Sequence, residues 1–226
     1  MHIRFDQTEL RYGEQSALAP LTLSLCEPRI GVIGLNGSGK TSFARLVNGL
    51  AKPTSGTVTL DGLDTVKDDK AVMAKAGFIF QNPANQIILP IIRDDIAMGP
   101  KSRGLKGPAL EAAVDRVLEQ FGIAHLASRR PHELSGGELQ LAALAAVVVT
   151  EPALILFDEP TNQLDLKNRA MVKAAIEGLA QQAIVITHDL DLIADYPRAL
   201  VFHEGSLAFD GPGGAAVAHY LEIVGA

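Results

Sequence analysis

The chain has 226 residues, 47% of them hydrophobic, which excludes a disordered protein and suits one α/β domain carrying an inserted subdomain. Its 20 basic and 26 acidic residues leave a net charge of −6. That balance argues against a nucleic-acid binder, which needs a basic stripe to displace counterions, yet leaves room for a small anionic ligand held by backbone amides. The single cysteine, Cys26, rules out an intrachain disulfide and fits a reducing compartment.

The N-terminal residues Met1–Asp6 do not read as a signal peptide. The longest apolar run, Leu141–Val149, is far shorter than the roughly 20 residues a spanning helix needs. The expectation is a chain that is neither exported nor membrane-spanning, but free to dock on a membrane protein. In chain order, His2–Phe5 and Leu21–Leu25 alternate as strands, and Ile30–Ile33 is a buried strand. A glycine-rich loop then leads into a helix over 41–50. Gly56–Gly62 and Gly77–Phe80 read as strands, separated by a charged loop, Asp64–Lys70, with no assigned role. From Pro83 to Val149 the patterns are helical, with one apolar face at positions 110, 114, 117, 118 and 121. Ala153–Phe157 and Ala183–Thr187 are buried strands on either side of a helix over 166–180, and a hairpin around Glu204-Gly205 finishes the pattern. The alternation implies a mostly parallel sheet with antiparallel strands near the N-terminus. It divides the chain into a core of residues 1–82 and 149–226 and an inserted α-helical subdomain, 83–148.

Gly34-Leu35-Asn36-Gly37-Ser38-Gly39-Lys40-Thr41 fits the phosphate-loop pattern and sits between a strand and a helix, as that motif requires. Its glycines allow successive N–H groups to turn toward phosphate oxygens. Lys40 reaches the β- and γ-phosphates, Thr41 is a candidate Mg²⁺ ligand, and Ser42 adds a hydrogen bond to phosphate. Leu154–Phe157 runs into Asp158-Glu159, two acids at the carboxyl edge of the sheet. Beside a nucleotide loop, Asp158 is a candidate to hold Mg²⁺ through water and Glu159 to polarise an attacking water. A P-loop NTPase using ATP and Mg²⁺ is the fold and chemistry so indicated.

Further motifs, in order, give a resemblance. Leu134-Ser135-Gly136-Gly137-Glu138 resembles the signature of the ATP-binding cassette (ABC) ATPases, although a helix cap at Ser135 explains the same residues locally. Gln81 stands where that family has its Q-loop glutamine, Asn162-Gln163-Leu164-Asp165 resembles the D-loop, His188 the switch histidine, and Tyr12 the aromatic that stacks on adenine. Phe80–Gln86 and Asp94–Pro100 are similar to the energy-coupling-factor (ECF) branch, which takes up vitamins, cobalt and nickel. The length beyond the hairpin is closest to the short ATPases of biotin uptake.

The resemblance implies a pair of ATPase subunits, two copies or one copy and a relative. The Gly34–Thr41 loop of one would bind ATP, and Ser135, Gly136 and Gly137 of the other would close on the γ-phosphate. Asp165 would lie at the subunit contact, and His188 and Glu159 would position the water. Gln81 would sense Mg²⁺ and the γ-phosphate as a metal and catalytic residue. A groove at Gln81 would receive an integral-membrane scaffold subunit, with acidic charge from Asp94 or Asp95, alongside a solute-binding membrane subunit; an equal reading of the two acids is that they only cap a helix. The site of action would be the cytoplasmic face of the cell membrane, peripherally, with no nucleic acid. Two departures from the family stand out: Glu138 where Gln is common, and Leu141 where Arg is common. Competing readings are another ABC transporter, including an exporter, a soluble ABC ATPase of DNA repair or translation, and a nucleotide sensor. The repair type needs a long coiled coil, and 83–148 carries no sustained heptads. The translation type usually joins two cassettes, and this chain has one. A sensor needs a lost catalytic group, and Lys40, Thr41, Gln81, Asp158, Glu159 and His188 are all present.

Overall fold

A computed structural model describes residues 1–225. The chain forms two compact units. The first takes Met1–Gly77, Ala153–Glu159 and the stretch from Gln181 onward, and the second takes Phe78–Pro152 and Pro160–Ala180.

The first unit is built on two sheets. In the antiparallel sheet, β1 (Ile3–Tyr12) lies between β2 (Gln15–Leu25) and β4 (Ser55–Leu60), with β5 (Leu63–Asp64) at the edge. β1 runs well past the expected end at Phe5. Its register shifts between Phe5 and Thr8, where Gln7 takes a positive φ of 45°, and that bulge breaks the alternation the sequence shows. In the six-stranded sheet, β3 (Arg29–Gly34) pairs in parallel with β8 (Gln182–Ile186) on one side and β9 (Arg198–His203) on the other. β7 (Leu154–Asp158) continues in parallel beyond β8, β10 (Ser206–Gly211) turns back antiparallel to β9, and β6 (Ala76–Ile79) is the far edge. Every residue of β7 and β8 is buried, as continuous apolar runs in a parallel sheet should be.

The helix α1 (Lys40–Val47) is fixed between these sheets by aromatic packing. Phe43 stacks on Phe5 of β1 with ring centroids 4.9 Å apart and lies 5.3 Å from Phe202 of β9. This packing anchors the helix whose first residues close the phosphate loop.

Two expectations for this unit need correction. The charged stretch Asp64–Lys70 is not a featureless loop, because α2 (Asp69–Lys75) begins inside it. Asp64 Oδ1 accepts from the N–H groups of Val66 and Lys67 at 2.9 and 3.1 Å, so the charges shape the turn. Nor does regular structure end at the hairpin. After the short α7 (Leu190–Ile193) and the β9–β10 hairpin comes α8 (Gly213–Val224), which packs on β9 and β10.

The second unit is helical. α3 (Ile92–Ser102) packs against α4 (Gly107–Gln120) and α5 (Gly136–Val148), and α5 packs against α6 (Leu166–Glu177). Arg93 of α3 ties to α4 through Glu111 at 2.5 Å and Asp115 at 2.6 Å. α5 is buried along most of its length, so its Ala/Val-rich sequence shows no polar face.

Asp95 corrects the expectation of a docking charge. It is only 4% exposed, and its Oδ1 accepts from the N–H groups of Ile88 and Leu89 at 2.7 and 2.8 Å. It is a fixture of the loop that precedes α3, while Asp94 stays exposed. Removing the Asp95 acceptor leaves two loop N–H groups unpaired. Asp95→Ala is therefore expected to destabilise the chain by about 1–3 kcal/mol, and Asp95→Asn, which keeps an acceptor, by less. Urea unfolding of both variants checks this; equal stability of Asp95→Ala and the parent counts against this role of Asp95 in the loop.

Candidate functional site

In the first unit the loop between β3 and α1 is organised by backbone geometry. Gly39 precedes α1 with φ 103°, and a side chain there would collide with the carbonyl of Ala17 in β2. No side chain caps α1. Its leading N–H groups, on Lys40, Thr41 and Ser42, stand at an open helix N-terminus, the arrangement that attracts an anion. Ser38 Oγ is buried and has no hydrogen-bond partner among the described residues. Asn36 and Gly37 are exposed at the loop's crest, and a side chain on Gly37 would meet open space. Tyr12 is 54% exposed at the end of β1, paired with Gln15 at the start of the strand that carries Ala17.

Lys40 is buried at 7% exposure, and its Nζ donates to the carbonyls of Gly34 at 2.8 Å and Leu35 at 3.0 Å. Burial pulls the ammonium below the usual lysine range, partly offset by Glu159 and Asp158. Asp158 ends β7 and accepts a hydrogen bond from the Thr41 hydroxyl at 3.2 Å. Burial pushes the Asp158 carboxyl up against the opposing pull of Thr41, Arg45 and Lys40. Glu159 follows with φ 54°, a strained backbone for a residue with a Cβ. Three contacts hold it there. Its N–H donates to the Ile186 carbonyl at 2.9 Å, its Oε2 accepts from the His188 N–H at 3.1 Å, and its Oε1 lies 3.1 Å from His188 Nε2. The same ring nitrogen is 3.1 Å from Asn36 Oδ1. An Nε2–H tautomer donates to both of these oxygens. Burial and the Lys40 charge push His188 down, toward the neutral ring. Burial also pushes Glu159 up, opposed by His188 N–H and Lys40 and reinforced by Asp158.

The donor set fits Mg²⁺. Thr41 Oγ1 and Asp158 Oδ1 are adjacent oxygens, and no cluster of three or more His, Cys, Asp or Glu able to hold a metal exists among the described residues. An ion that keeps waters and takes phosphate oxygens suits one hydroxyl and one carboxylate.

In the second unit, Gln81 begins a loop held by Gln86. The Gln86 Nε2 donates to the Phe78 carbonyl at 3.1 Å, and its Oε1 accepts from the Phe80 N–H at 3.2 Å. Gln81, Asn82 and Pro83 line a cleft of about 310 Å³ with Gly136, Leu139, Gln140 and Asn162–Leu164. Asp165 caps α6, its Oδ1 accepting from Asn168 N–H at 2.8 Å and its Oδ2 from Asn168 Nδ2 at 3.1 Å. Asn168 lies against Gly137 so closely that any side chain on Gly137 would collide with it. Ser135 caps α5 together with Glu138. The second departure, Leu141, is buried and lines an apolar hollow with Phe121 and Met171.

Sequence reasoning finds the Ser135 cap but not its partner Glu138, although the spacing of the two is that of a capping box. The Asn36–His188 contact spans 152 residues and leaves no local signal, whereas Asp165 and Asn168 stand three apart, the spacing of a helix cap and the N–H it accepts from.

The family profile described as ABC transporter matches residues 20–162. The chain is 60% identical over 223 residues, 99% of both chains, to the biotin transport ATP-binding protein BioM of Rhizobium etli. It is 41% identical to the BioM of Rhodobacter capsulatus, over 89% of this chain and 86% of that protein. Among solved structures it matches cbiO1 from Clostridium perfringens, described as part of the ABC transporter complex cbiONQ, with a TM-score of 0.87. That match has 26% identity and covers 99% of this chain and 93% of the other.

The buried carboxylates carry a stability consequence. A carboxyl whose pKa is raised on folding prefers its proton in the folded state, so ionisation near neutral pH costs stability and the cost fades as pH falls. Glu159→Gln is expected to raise the Tm of the nucleotide-free chain at neutral pH, and by a smaller margin at about pH 5. Thermal unfolding at the two pH values decides it; a lower Tm at neutral pH contradicts the expectation.

Proposed function

The chain belongs to the ABC transporter family, and on that premise we propose that it is the ATP-binding and ATP-hydrolysing subunit of an ECF-type importer that takes up biotin. The observation that carries the ATPase reading is the convergence of Lys40, Thr41, Asp158, Glu159 and His188 around an uncapped helix start. The solute rests on the likeness to two biotin transport proteins along most of the chain.

In this reading the Gly34–Thr41 amides receive the phosphates, with Ser38 Oγ and Ser42 adding hydrogen bonds. Lys40 exchanges its two carbonyl partners for the β- and γ-phosphate oxygens. Tyr12 offers its exposed ring to the adenine. Mg²⁺, when bound, neutralises charge on the phosphate oxygens, and Thr41 and Asp158 are the residues that would hold it. Glu159 accepts the proton of the attacking water. His188 donates from Nε2, first to Glu159 and Asn36 and then to the γ-phosphate, leaving the Glu159 carboxylate free. Gln81 is the sensor of metal and γ-phosphate. Catalysis is then positioning and electrostatic stabilisation. Ser135, Gly136 and Gly137 act on the nucleotide of a second ATPase subunit, with Asp165 near that contact.

Residues 83–148 serve as the inserted helical subdomain that meets the membrane partner. Exposed Phe80, Ile88 and Met98 support an apolar contact with a helix of an integral-membrane scaffold, beside a separate solute-binding membrane subunit. No helix among the described residues is long and apolar enough to cross a membrane. In this reading the chain attaches to the cytoplasmic face of the membrane through its partners, which the likeness to transport proteins supports.

Glu159→Gln is expected to keep ATP binding and lower turnover about 10²–10⁴-fold, whereas Lys40→Ala weakens nucleotide binding itself. Phosphate release and nucleotide titration separate the two; undiminished hydrolysis by Glu159→Gln removes it from the base role. For the solute, the tagged chain is purified from native membranes in mild detergent. Recovery of a scaffold and a small membrane protein loaded with biotin supports the reading. A bound transition-metal ion replaces the solute and keeps the importer. Ribosomes or a repair complex without membrane proteins overturn transport.

A further inference from the structure

The helices α1 and α5 both begin with glycine-rich segments, but their first turns are treated in opposite ways. α1 has no side-chain cap. At α5, Glu138 Oε2 accepts from the Ser135 N–H at 2.8 Å and from the Ser135 hydroxyl at 2.8 Å, while Ser135 Oγ accepts from the Glu138 N–H at 3.4 Å. One carboxylate oxygen therefore occupies both donors that Ser135 could offer to a phosphate. The next amides, Glu138 and Leu139, are taken by the Ser135 hydroxyl and carbonyl oxygens, which leaves those of Gly136 and Gly137 at the start of α5. The same two bonds hold the Glu138 carboxyl below the usual glutamate range, so it is anionic at neutral pH.

We propose that Glu138 is a positioning residue that restrains ATP-driven closure of the subunit pair by withholding the Ser135 hydroxyl and setting a negative charge where the γ-phosphate must arrive. The inference rests on the ATPase reading above and adds a setting for it. For the signature segment to grip a γ-phosphate, Ser135 must turn its hydroxyl away from Glu138, and the carboxylate must tolerate or leave a like-charged neighbour. Both steps raise the ATP concentration needed for closure. The segment has a second support besides this acid, because Gly137 is seated on Asn168 and Asn168 is held by Asp165.

Glu138→Gln isolates the effect. A capping box works with either side chain. The amide oxygen still accepts from Ser135 N–H, the unit charge is gone, and a neutral acceptor holds the Ser135 hydroxyl less tightly than the carboxylate does, so phosphate competes for it more easily. The test uses the full chain carrying Glu159→Gln, so that closed pairs accumulate, with and without Glu138→Gln. Dimer formation against Mg²⁺-ATP is followed by light scattering, and ADP binding to the separate subunits by calorimetry. The expected result is a midpoint lowered about tenfold, with a weaker dependence on added NaCl and an unchanged ADP affinity. Glu138→Ala, which loses the cap as well, separates the roles. A residue acting only as a cap predicts no change for Gln and impaired dimerisation for Ala. That pattern, or any unchanged or raised midpoint with Glu138→Gln, overturns the proposal. ATP uptake with no dimer in either protein also overturns it, together with the two-subunit part of the reading. Absence of ATP uptake by the parent overturns the ATPase reading itself.

Discussion

The Lys40 ammonium lies out of water, held by the carbonyl oxygens of Gly34 and Leu35, and two carboxylates, Asp158 and Glu159, are buried within its field. Buried charges cost far more than their hydrogen bonds return unless they are paired with opposite charge. Here the pairing is incomplete. Burial shifts Lys40 down and both acids up, so each is pushed toward its neutral form. Such a cluster survives only where the surrounding structure is rigid. The fully buried β7 and β8 supply that rigidity from below, and the stack of Phe43 on Phe5 fixes the helix from above. The Ser38 hydroxyl, without a partner among the described residues, and the uncapped start of α1 belong to the same unfinished arrangement, which the phosphates of a nucleotide complete.

Capping chemistry decides which helix starts are available to a ligand. α6 is closed by Asp165, and α1 is left open because Gly39 has no side chain to offer. α5 stands between them. Ser135 and Glu138 close its first turn with an anion that also occupies the serine's own donors. A helix N-terminus welcomes negative charge, so the acid stabilises the free chain and competes with the phosphate that would otherwise take its position. Stability of the unliganded state and readiness to bind are thus opposed at one residue.

What the sequence makes legible is local. Gly34–Thr41 is readable because the phosphate loop is a contiguous backbone conformation, and β7 followed by Asp158-Glu159 is readable because an apolar run ends abruptly in acids. β1 beyond Phe5 is hidden by its bulge, and α8 by the Pro212-Gly213-Gly214 turn signal that opens it. Side-chain partnerships across the fold are not readable at all. His188 finds Asn36 from 152 positions away, and nothing in either neighbourhood announces it. The ionisable residues are the hardest to judge, because the same Asp serves as a solvated charge or a loop fixture according to contacts that folding alone creates.

At Asp95 two hydrogen bonds resolve that ambiguity. Its carboxylate is occupied by the Ile88 and Leu89 amides and is withdrawn from solvent, so it contributes no free charge at the surface. By binding those amides it fixes the backbone that leaves the Ile88 side chain 71% exposed. The loop after Gln81 is braced at its other end by Gln86, which completes the hydrogen bonding of Phe78 and Phe80 as a neighbouring strand would. Two polar side chains thus hold a short segment in place while Ile88 faces outward. An apolar surface held in one conformation binds a partner without a further ordering cost. Asp94, the neighbour of Asp95 in sequence, is exposed instead, so adjacent acids have opposite surroundings.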